Sequence, residues 1–150
     1  MSAIQAVRWS PDGEAVRIID QRRLPEQYVE RDLRTRDEVC DAIRTLAVRG
    51  APAIGICGAM GVVTSMLPCS HLPGPAFRAE LSRTAHSIRE ARPTAVNLAW
   101  GVDRLLRVAA TTAGEAPEVL EALRREATAI LIEDQAMCEA IGQHGVSLIA

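Results

Sequence analysis

The pattern of apolar and polar residues divides the chain into a short β-rich beginning and a long helical remainder. Two runs of β-forming residues, 4–9 and 15–20, flank the sequence SPDG at 10–13, which is typical of a tight turn. They predict a hairpin, and a third run at 28–33 predicts one more strand. We therefore expect a small antiparallel β-sheet at the start of the chain.

Beyond the strands, apolar residues recur at the three- and four-residue spacing of amphipathic helices. Thr35 followed by Glu38 matches a capping box, and glycines and prolines punctuate the rest of the pattern. The predicted helices are about 36–48, 52–66, 77–91, 95–113 and 117–143. Trp9 and Trp100 are expected in the core that these elements enclose.

The last residues, 145–150, form an apolar run after a glycine and predict a buried strand. A strand with no following turn is typical of the first strand of a parallel α/β unit. The fold class expected is an α+β N-terminal domain over 1–144, with a small antiparallel β-sheet followed by a helical bundle. This domain leads into a truncated Rossmann-like α/β domain that begins at 145.

The composition argues against several classes of function, namely nucleic-acid binding, zinc binding and membrane spanning. Hydrophobic residues make up 48% and charged residues 24%, as in folded globular proteins, and the net charge of −2 argues against nucleic-acid binding. The four cysteines form no CxxC pair, so a zinc site is not predicted. No basic start precedes an apolar segment, and the apolar stretch 51–66 reads as a buried helix rather than a membrane span. We expect a cytoplasmic protein.

The sharpest local signal is the sequence AVRGAPAIG at 47–55, which predicts a tight turn that opens a helix. Unpaired amides at a helix start attract anions, Gly50 permits close backbone approach, and Arg49 adds a planar cation suited to phosphate. Gly55 and Gly58 keep the helix thin enough for close packing. The same residues are equally compatible with a capping glycine, an exposed arginine and a packing helix.

A second arginine, Arg92, precedes another predicted helix start at Thr94. Alone it is a weak signal because exposed arginines are common. Two arginines at two helix starts are more suggestive, since one phosphorylated ligand could bridge them. Asp134 lies on the apolar stripe of the last helix, where we expect a buried structural ion pair or hydrogen bond.

Three blocks carry a family resemblance. Residues 42–55 and 92–98 closely resemble two motifs of the methylthioribose-1-phosphate isomerases, and residues 133–145 resemble a third. The similarity runs in the same order over nearly the whole chain. The superfamily also contains the regulatory subunits of translation initiation factor 2B.

The resemblance implies an aldose–ketose isomerase of methionine salvage that needs no metal or cofactor and acts as a cytoplasmic homodimer. Substrate contacts map onto Arg49, Gly50, Ala51 and Arg92. The catalytic cysteine and aspartate of the family belong to its C-terminal domain, so they are expected beyond Ala150 and this chain is expected to be inactive alone. No membrane or nucleic-acid partner is implied.

Three alternatives stay open from the sequence. A ribose 1,5-bisphosphate isomerase shares the fold and differs in the pocket around C5 of the sugar. A regulatory subunit of the initiation-factor type shares the architecture but is a binding protein. The least specific alternative is a helical docking module without a ligand.

Overall fold

The computed structural model describes residues 4–149 and places a three-stranded sheet beside five helices. The strands are β1 (Val7–Trp9), β2 (Val16–Ile19) and β3 (Glu30–Leu33). The helices are α1 (Arg36–Arg44), α2 (Ala51–Met66), α3 (Gly74–Arg89), α4 (Val96–Thr111) and α5 (Ala116–Val146), with a 3₁₀ turn at Leu67–Cys69. The predicted small antiparallel sheet followed by helices is confirmed.

The sheet is antiparallel in the order β1-β2-β3. Val7 lies opposite Ile18, and Val16 lies opposite Leu33. These four side chains are buried on one face of the sheet, which packs against α2. The predicted hairpin turn forms with Gly13 at φ +73°, a conformation that glycine adopts without steric cost.

Helix α2 lies at the centre of the core. Every residue from Ile54 to Thr64 is buried, and α1, α3, α4 and α5 all pack against this helix. By length and composition, the segment Ala51–Cys69 could cross a membrane, but 67% of its apolar window is buried inside the protein. A central position explains this composition, since a helix surrounded on all sides is apolar on all sides.

Helix α1 begins as predicted and ends earlier. The Glu38 amide donates to the Thr35 hydroxyl at 3.3 Å, and the Thr35 amide donates to the Glu38 carboxylate at 3.0 Å. The predicted end near Val48 is wrong, because the helix stops at Arg44 and Leu46 adopts a left-handed φ of +60°. The apolar residues that follow α1 are still buried, but they lie in a loop and not on a helical face.

Two other helix starts differ from expectation. Helix α3 begins at Gly74 rather than Phe77, because a proline is tolerated in a first helical turn and the Gly74 amide donates to the Glu115 carboxylate at 2.7 Å. Thr94, at the predicted start of α4, does not cap this helix, which begins at Val96. Ala95 occupies the cap position and contributes no side-chain hydrogen bond.

The predicted strand at 145–150 is wrong over its described part. Helix α5 continues through Gly145 to Val146, and the Leu148 amide then donates to the Gly145 carbonyl at 2.9 Å in a turn. A strand needs a hydrogen-bonding neighbour, and the one sheet within residues 4–149 consists of β1 to β3. Ala150 lies outside the described residues.

Candidate functional site

The first turns of α2 and α4 lie side by side because the two helix backbones touch at a pair of glycines. A Cβ atom on Gly101 would lie 2.7 Å from the Gly55 carbonyl oxygen. A Cβ atom on Gly55 would lie 2.7 Å from the Asn97 carbonyl oxygen. Side chains do not fit at such distances, so the glycines permit this contact and bring the two helix starts together. The close packing expected of α2 is confirmed.

An open cleft of about 400 Å³ lies where these helix starts meet. Three of the four residues assigned to a substrate site from the sequence, Gly50, Ala51 and Arg92, line this cleft. The remaining lining residues belong to the turn before α4, to its first turn and to α2, and they are Ile54, Thr94, Ala95, Val96 and Asn97. The sequence analysis did not assign Val96 or Asn97 to the site, although amides in the first turn of a predicted helix have no intrahelical partner.

The cleft is electropositive through its backbone. Gly50, at φ +94°, is the cap residue of α2, and no side chain caps the first turn of α2 or α4. Within residues 4–149, the amides of Ala51, Val96 and Asn97 donate to no other backbone or side-chain group. Both helix dipoles place their positive ends here, so the arrangement suits an anion.

Arg92 adds a cation to this backbone site. Its carbonyl accepts from the Ala95 amide at 3.0 Å, which fixes the residue in the turn before α4. In the described part of the chain, its guanidinium has no carboxylate partner, whereas Arg89 nearby is paired with Asp103 at 3.1 Å. An unpaired guanidinium beside free amides is available to a phosphate.

Arg49 lies next to the cleft and does not line it. The side chain is exposed, and its Nε atom donates to the Leu46 carbonyl at 3.3 Å. Its own carbonyl accepts from the Gln21 side chain at 3.4 Å. The structure therefore brings Gly50, Ala51 and Arg92 together and holds the Arg49 guanidinium against its own turn.

The end of α1, which precedes the turn that carries Gly50, is linked to the sheet through a buried carboxylate. Asp20 accepts from the Arg22 Nε atom at 2.8 Å and from the Arg31 guanidinium at 3.4 Å. Arg22 donates in turn to the Thr45 hydroxyl at 3.0 Å. The Arg22 guanidinium holds the pKa of the Asp20 carboxyl well below its usual range. The ionised carboxylate of Asp20 thus holds Arg22 in place against the end of α1.

We expect Asp20→Asn to change how stability depends on pH. A carboxyl whose folded-state pKa is depressed stabilises the fold above its unfolded pKa of about 3.9, and this contribution is lost as pH falls towards the folded value. Unfolding by urea at several pH values should show the wild type losing more stability than the variant below about pH 4. Parallel curves for the two proteins would contradict this role.

A second cavity, of about 390 Å³, adjoins the cleft and contains two residues that the sequence placed elsewhere. Trp100 was expected in the core, and this prediction is wrong, because its side chain is 47% exposed on the cavity wall. Asp134 was expected in a buried pair. It is instead half-buried, and its carboxylate has no partner within residues 4–149. The apolar stripe of α5 is buried at Ile130 and exposed at Met137.

The thiols do not supply a nucleophile at the cleft. Complete burial raises the pKa of the Cys57 thiol to about 12, so this group stays protonated at neutral pH. Cys138 is exposed on α5 and lies outside the cleft lining. Within the described residues, no three histidine, cysteine or acidic side chains are grouped to hold a metal ion.

Known proteins share this fold and sequence. A methylthioribose-1-phosphate isomerase of Gemmatimonas aurantiaca is 52% identical over 146 residues, which cover 97% of this chain and 42% of the relative. The initiation factor eIF-2B subunit delta of A. fulgidus superposes with a TM-score of 0.81 at 33% identity, over 88% of this chain and 38% of that one. A 5-methylthioribose 1-phosphate isomerase of Pyrococcus horikoshii OT3 gives the same TM-score at 27% identity, over 87% and 36%.

The chain thus spans about two fifths of the length of the curated relatives it matches. The model of the Initiation factor 2 subunit family matches residues 47–150, a range that contains both helix starts of the cleft. Since this match covers more than half of the sequence, the chain belongs to the Initiation factor 2 subunit family.

Proposed function

We propose that this chain supplies the phosphate-binding part of the active site of a methylthioribose-1-phosphate isomerase. The reaction converts 5-methylthioribose 1-phosphate to 5-methylthioribulose 1-phosphate in methionine salvage. The observation that carries the proposal is the cleft in which two uncapped helix starts and the unpaired Arg92 converge. The isomerase named among the relatives, at 52% identity, supports the substrate.

The chemistry explains why a phosphate site matters for such an enzyme. The phosphate occupies the anomeric carbon, so the sugar ring cannot open freely as it does in an ordinary aldose. An enzyme has to assist ring opening and then move hydrogen between adjacent carbons, which suits an acid–base pair in a dry pocket. Gly50, Ala51 and Arg92 would hold the phosphate and orient the sugar towards that pair.

The acid–base pair is proposed to lie outside this chain. The family resemblance assigns it to a cysteine and an aspartate of a C-terminal domain, and we expect the 150 residues alone to give no turnover. The complete enzyme is proposed to be a cytoplasmic homodimer that needs no cofactor. These statements rest on the family resemblance of the sequence and not on the geometry of the cleft.

A chimera tests the proposal directly. Residues 1–149 would replace the matching part of the Gemmatimonas isomerase, and proton NMR would follow conversion of 5-methylthioribose 1-phosphate to the ketose. We expect turnover by the chimera and none by the isolated chain. A chimera that folds, as judged by circular dichroism, and yet binds no sugar phosphate would contradict the proposal.

Arg49→Ala should have a modest effect on phosphate binding. The guanidinium is exposed and has to leave the Leu46 carbonyl before it reaches the cleft, so we expect a loss of about 0.5–1.5 kcal/mol, the scale of a single net hydrogen bond. Calorimetric titration of the chain with ribose 1-phosphate measures it. Unchanged affinity would remove Arg49 from the site, while the backbone amides and Arg92 would remain.

The second candidate function is that of a regulatory binding subunit. The equally close superposition on an initiation factor subunit favours it, because the fold alone does not separate the two classes. An inactive but folded chimera that forms a stable complex with initiation-factor subunits would support this alternative.

A further inference from the structure

Helix α5 carries one stripe of side chains that is buried along its first half and largely exposed along its second. The members alternate at spacings of four and three residues, which is the repeat of a helix that packs lengthwise against another helix. The buried members are Ala116, Leu120, Leu123, Ala127 and Ile130. The members beyond them form the open stripe, which consists of Asp134, Met137, Ile141 and His144.

The centre of the open stripe is apolar. Met137 is 61% exposed and Ile141 is 66% exposed, although they continue a repeat whose earlier members are buried. Two cavities of about 390 Å³ each flank Asp134, and Trp100 forms part of the wall of the first. The protein thus leaves room for one more helix along this face, and covering the face would remove both apolar side chains from water.

The open stripe has a carboxylate at one end and an imidazole at the other. The Asp134 carboxylate and the exposed His144 side chain make no ion pair or hydrogen bond within residues 4–149. A second α5 lying antiparallel, with the two-fold axis at the level of Glu139, would bring Met137 against Ile141 and Asp134 against His144. A parallel pair would instead bring the two Asp134 carboxylates together, which is unfavourable.

We propose that the open stripe binds a second copy of this chain, with the two α5 helices packed antiparallel. The pair contains two layers of Met137 against Ile141, flanked on both sides by contacts of Asp134 with His144. Glu139 lies two residues from Ile141 and faces away from the partner, so no acidic side chains meet at the two-fold axis. The surface is small, and the association is accordingly weak and dependent on concentration.

Sedimentation equilibrium of the whole chain tests the pairing. We expect the average mass to rise from the 16.2 kDa of one chain towards twice that value as the concentration approaches the millimolar range. Ile141→Glu should hold the mass at one chain, because it places a carboxylate between apolar side chains. Ile132→Glu is the matched control, since Ile132 is 58% exposed and lies about two and a half turns away, on the opposite side of α5. This control should pair like the unsubstituted chain.

Exchange of the two end groups tests the antiparallel register. At about pH 5.5, where an ordinary imidazole is mostly cationic, Asp134→Lys and His144→Glu should each weaken association about tenfold, the scale of two exposed ion pairs in the dimer. The double variant restores opposite charges at both ends and should recover the affinity of the unsubstituted chain. Non-specific contact between apolar side chains would give no such recovery.

Cys138 reports on the orientation of the two helices. It is exposed on the flank of the open stripe, and the antiparallel pair places both copies of it on the same side, about 3 Å apart along the helix axis. A short bismaleimide should therefore link two chains through Cys138. Either Cys138→Ser or Ile141→Glu should prevent this cross-link.

The outcomes separate this inference from the proposed function. A mass of one chain at millimolar concentration would overturn the inference and assign the open stripe to another occupant, such as a further domain of a longer polypeptide. Equal masses for Ile141→Glu and Ile132→Glu, or no recovery in the double charge exchange, would overturn it as well. The phosphate cleft contains no residue of the open stripe, so Ile141→Glu should bind ribose 1-phosphate with unchanged affinity.

Discussion

Gly101→Ala should lower the free energy of unfolding by about 1–3 kcal/mol, the usual cost of forcing an extra carbon into a packed interior. The new Cβ would lie 2.7 Å from the Gly55 carbonyl oxygen, and a backbone atom cannot turn aside as a side chain can. Helices α2 and α4 would have to separate, so the amides of the cleft would lose their alignment. Urea unfolding and binding of ribose 1-phosphate measure the two effects.

Gly142→Ala is the matched control for this variant. Gly142 also lies within a helix, yet nothing stands within 4 Å of a Cβ added there. Alanine should stabilise that helix by about 0.5–1 kcal/mol, because glycine is the poorer helix former. Equal effects of the two substitutions would show that the helix contact does not shape the cleft.

Arg92→Ala should weaken binding of ribose 1-phosphate by about 1.5–3 kcal/mol, or about 10- to 150-fold, the scale of hydrogen bonds to a charged group. The guanidinium lines the cleft and has no carboxylate partner within residues 4–149, so no internal ion pair is broken by its removal. The loss should appear in affinity and not in stability. Calorimetric titration and urea unfolding of the same protein separate these quantities.

Two further variants control for charge. Arg107→Ala removes an exposed cation near the other end of α4 and should leave the affinity unchanged. Arg92→Lys keeps the charge and loses the planar fork, so it should retain part of the affinity. A comparable loss in Arg107→Ala would mean that general charge, and not the position of Arg92, attracts the phosphate.

The parts of the fold that local chemistry determines could be predicted from the sequence. The hairpin follows from turn residues at 10–13, and the start of α1 follows from the reciprocal hydrogen bonds of Thr35 and Glu38. The end of α1 could not be predicted in this way. Leu46 adopts a left-handed conformation that leucine rarely takes, because the buried loop after the helix imposes it.

Each of the two helix starts in the candidate site could be predicted from the sequence, but their proximity could not. The glycine and arginine at 49–50 and Arg92 each marked a local turn, but their separation in sequence said nothing about distance. The contact between Gly55 and Gly101 joins them, and Gly101 carries no local signal of its own. Trp100 was expected inside because it is aromatic, and Asp134 because periodicity places it on an apolar stripe. Neither signal shows what covers that part of the surface.

The most direct test of the phosphate cleft is a ¹⁵N–¹H NMR titration of the chain with ribose 1-phosphate. We expect the amide signals of Gly50, Ala51, Val96 and Asn97 to move together and to saturate at one ligand concentration. Free ribose should leave these signals in place. If they stay fixed while the sugar phosphate perturbs amides elsewhere, or none at all, the two helix starts do not form a phosphate site.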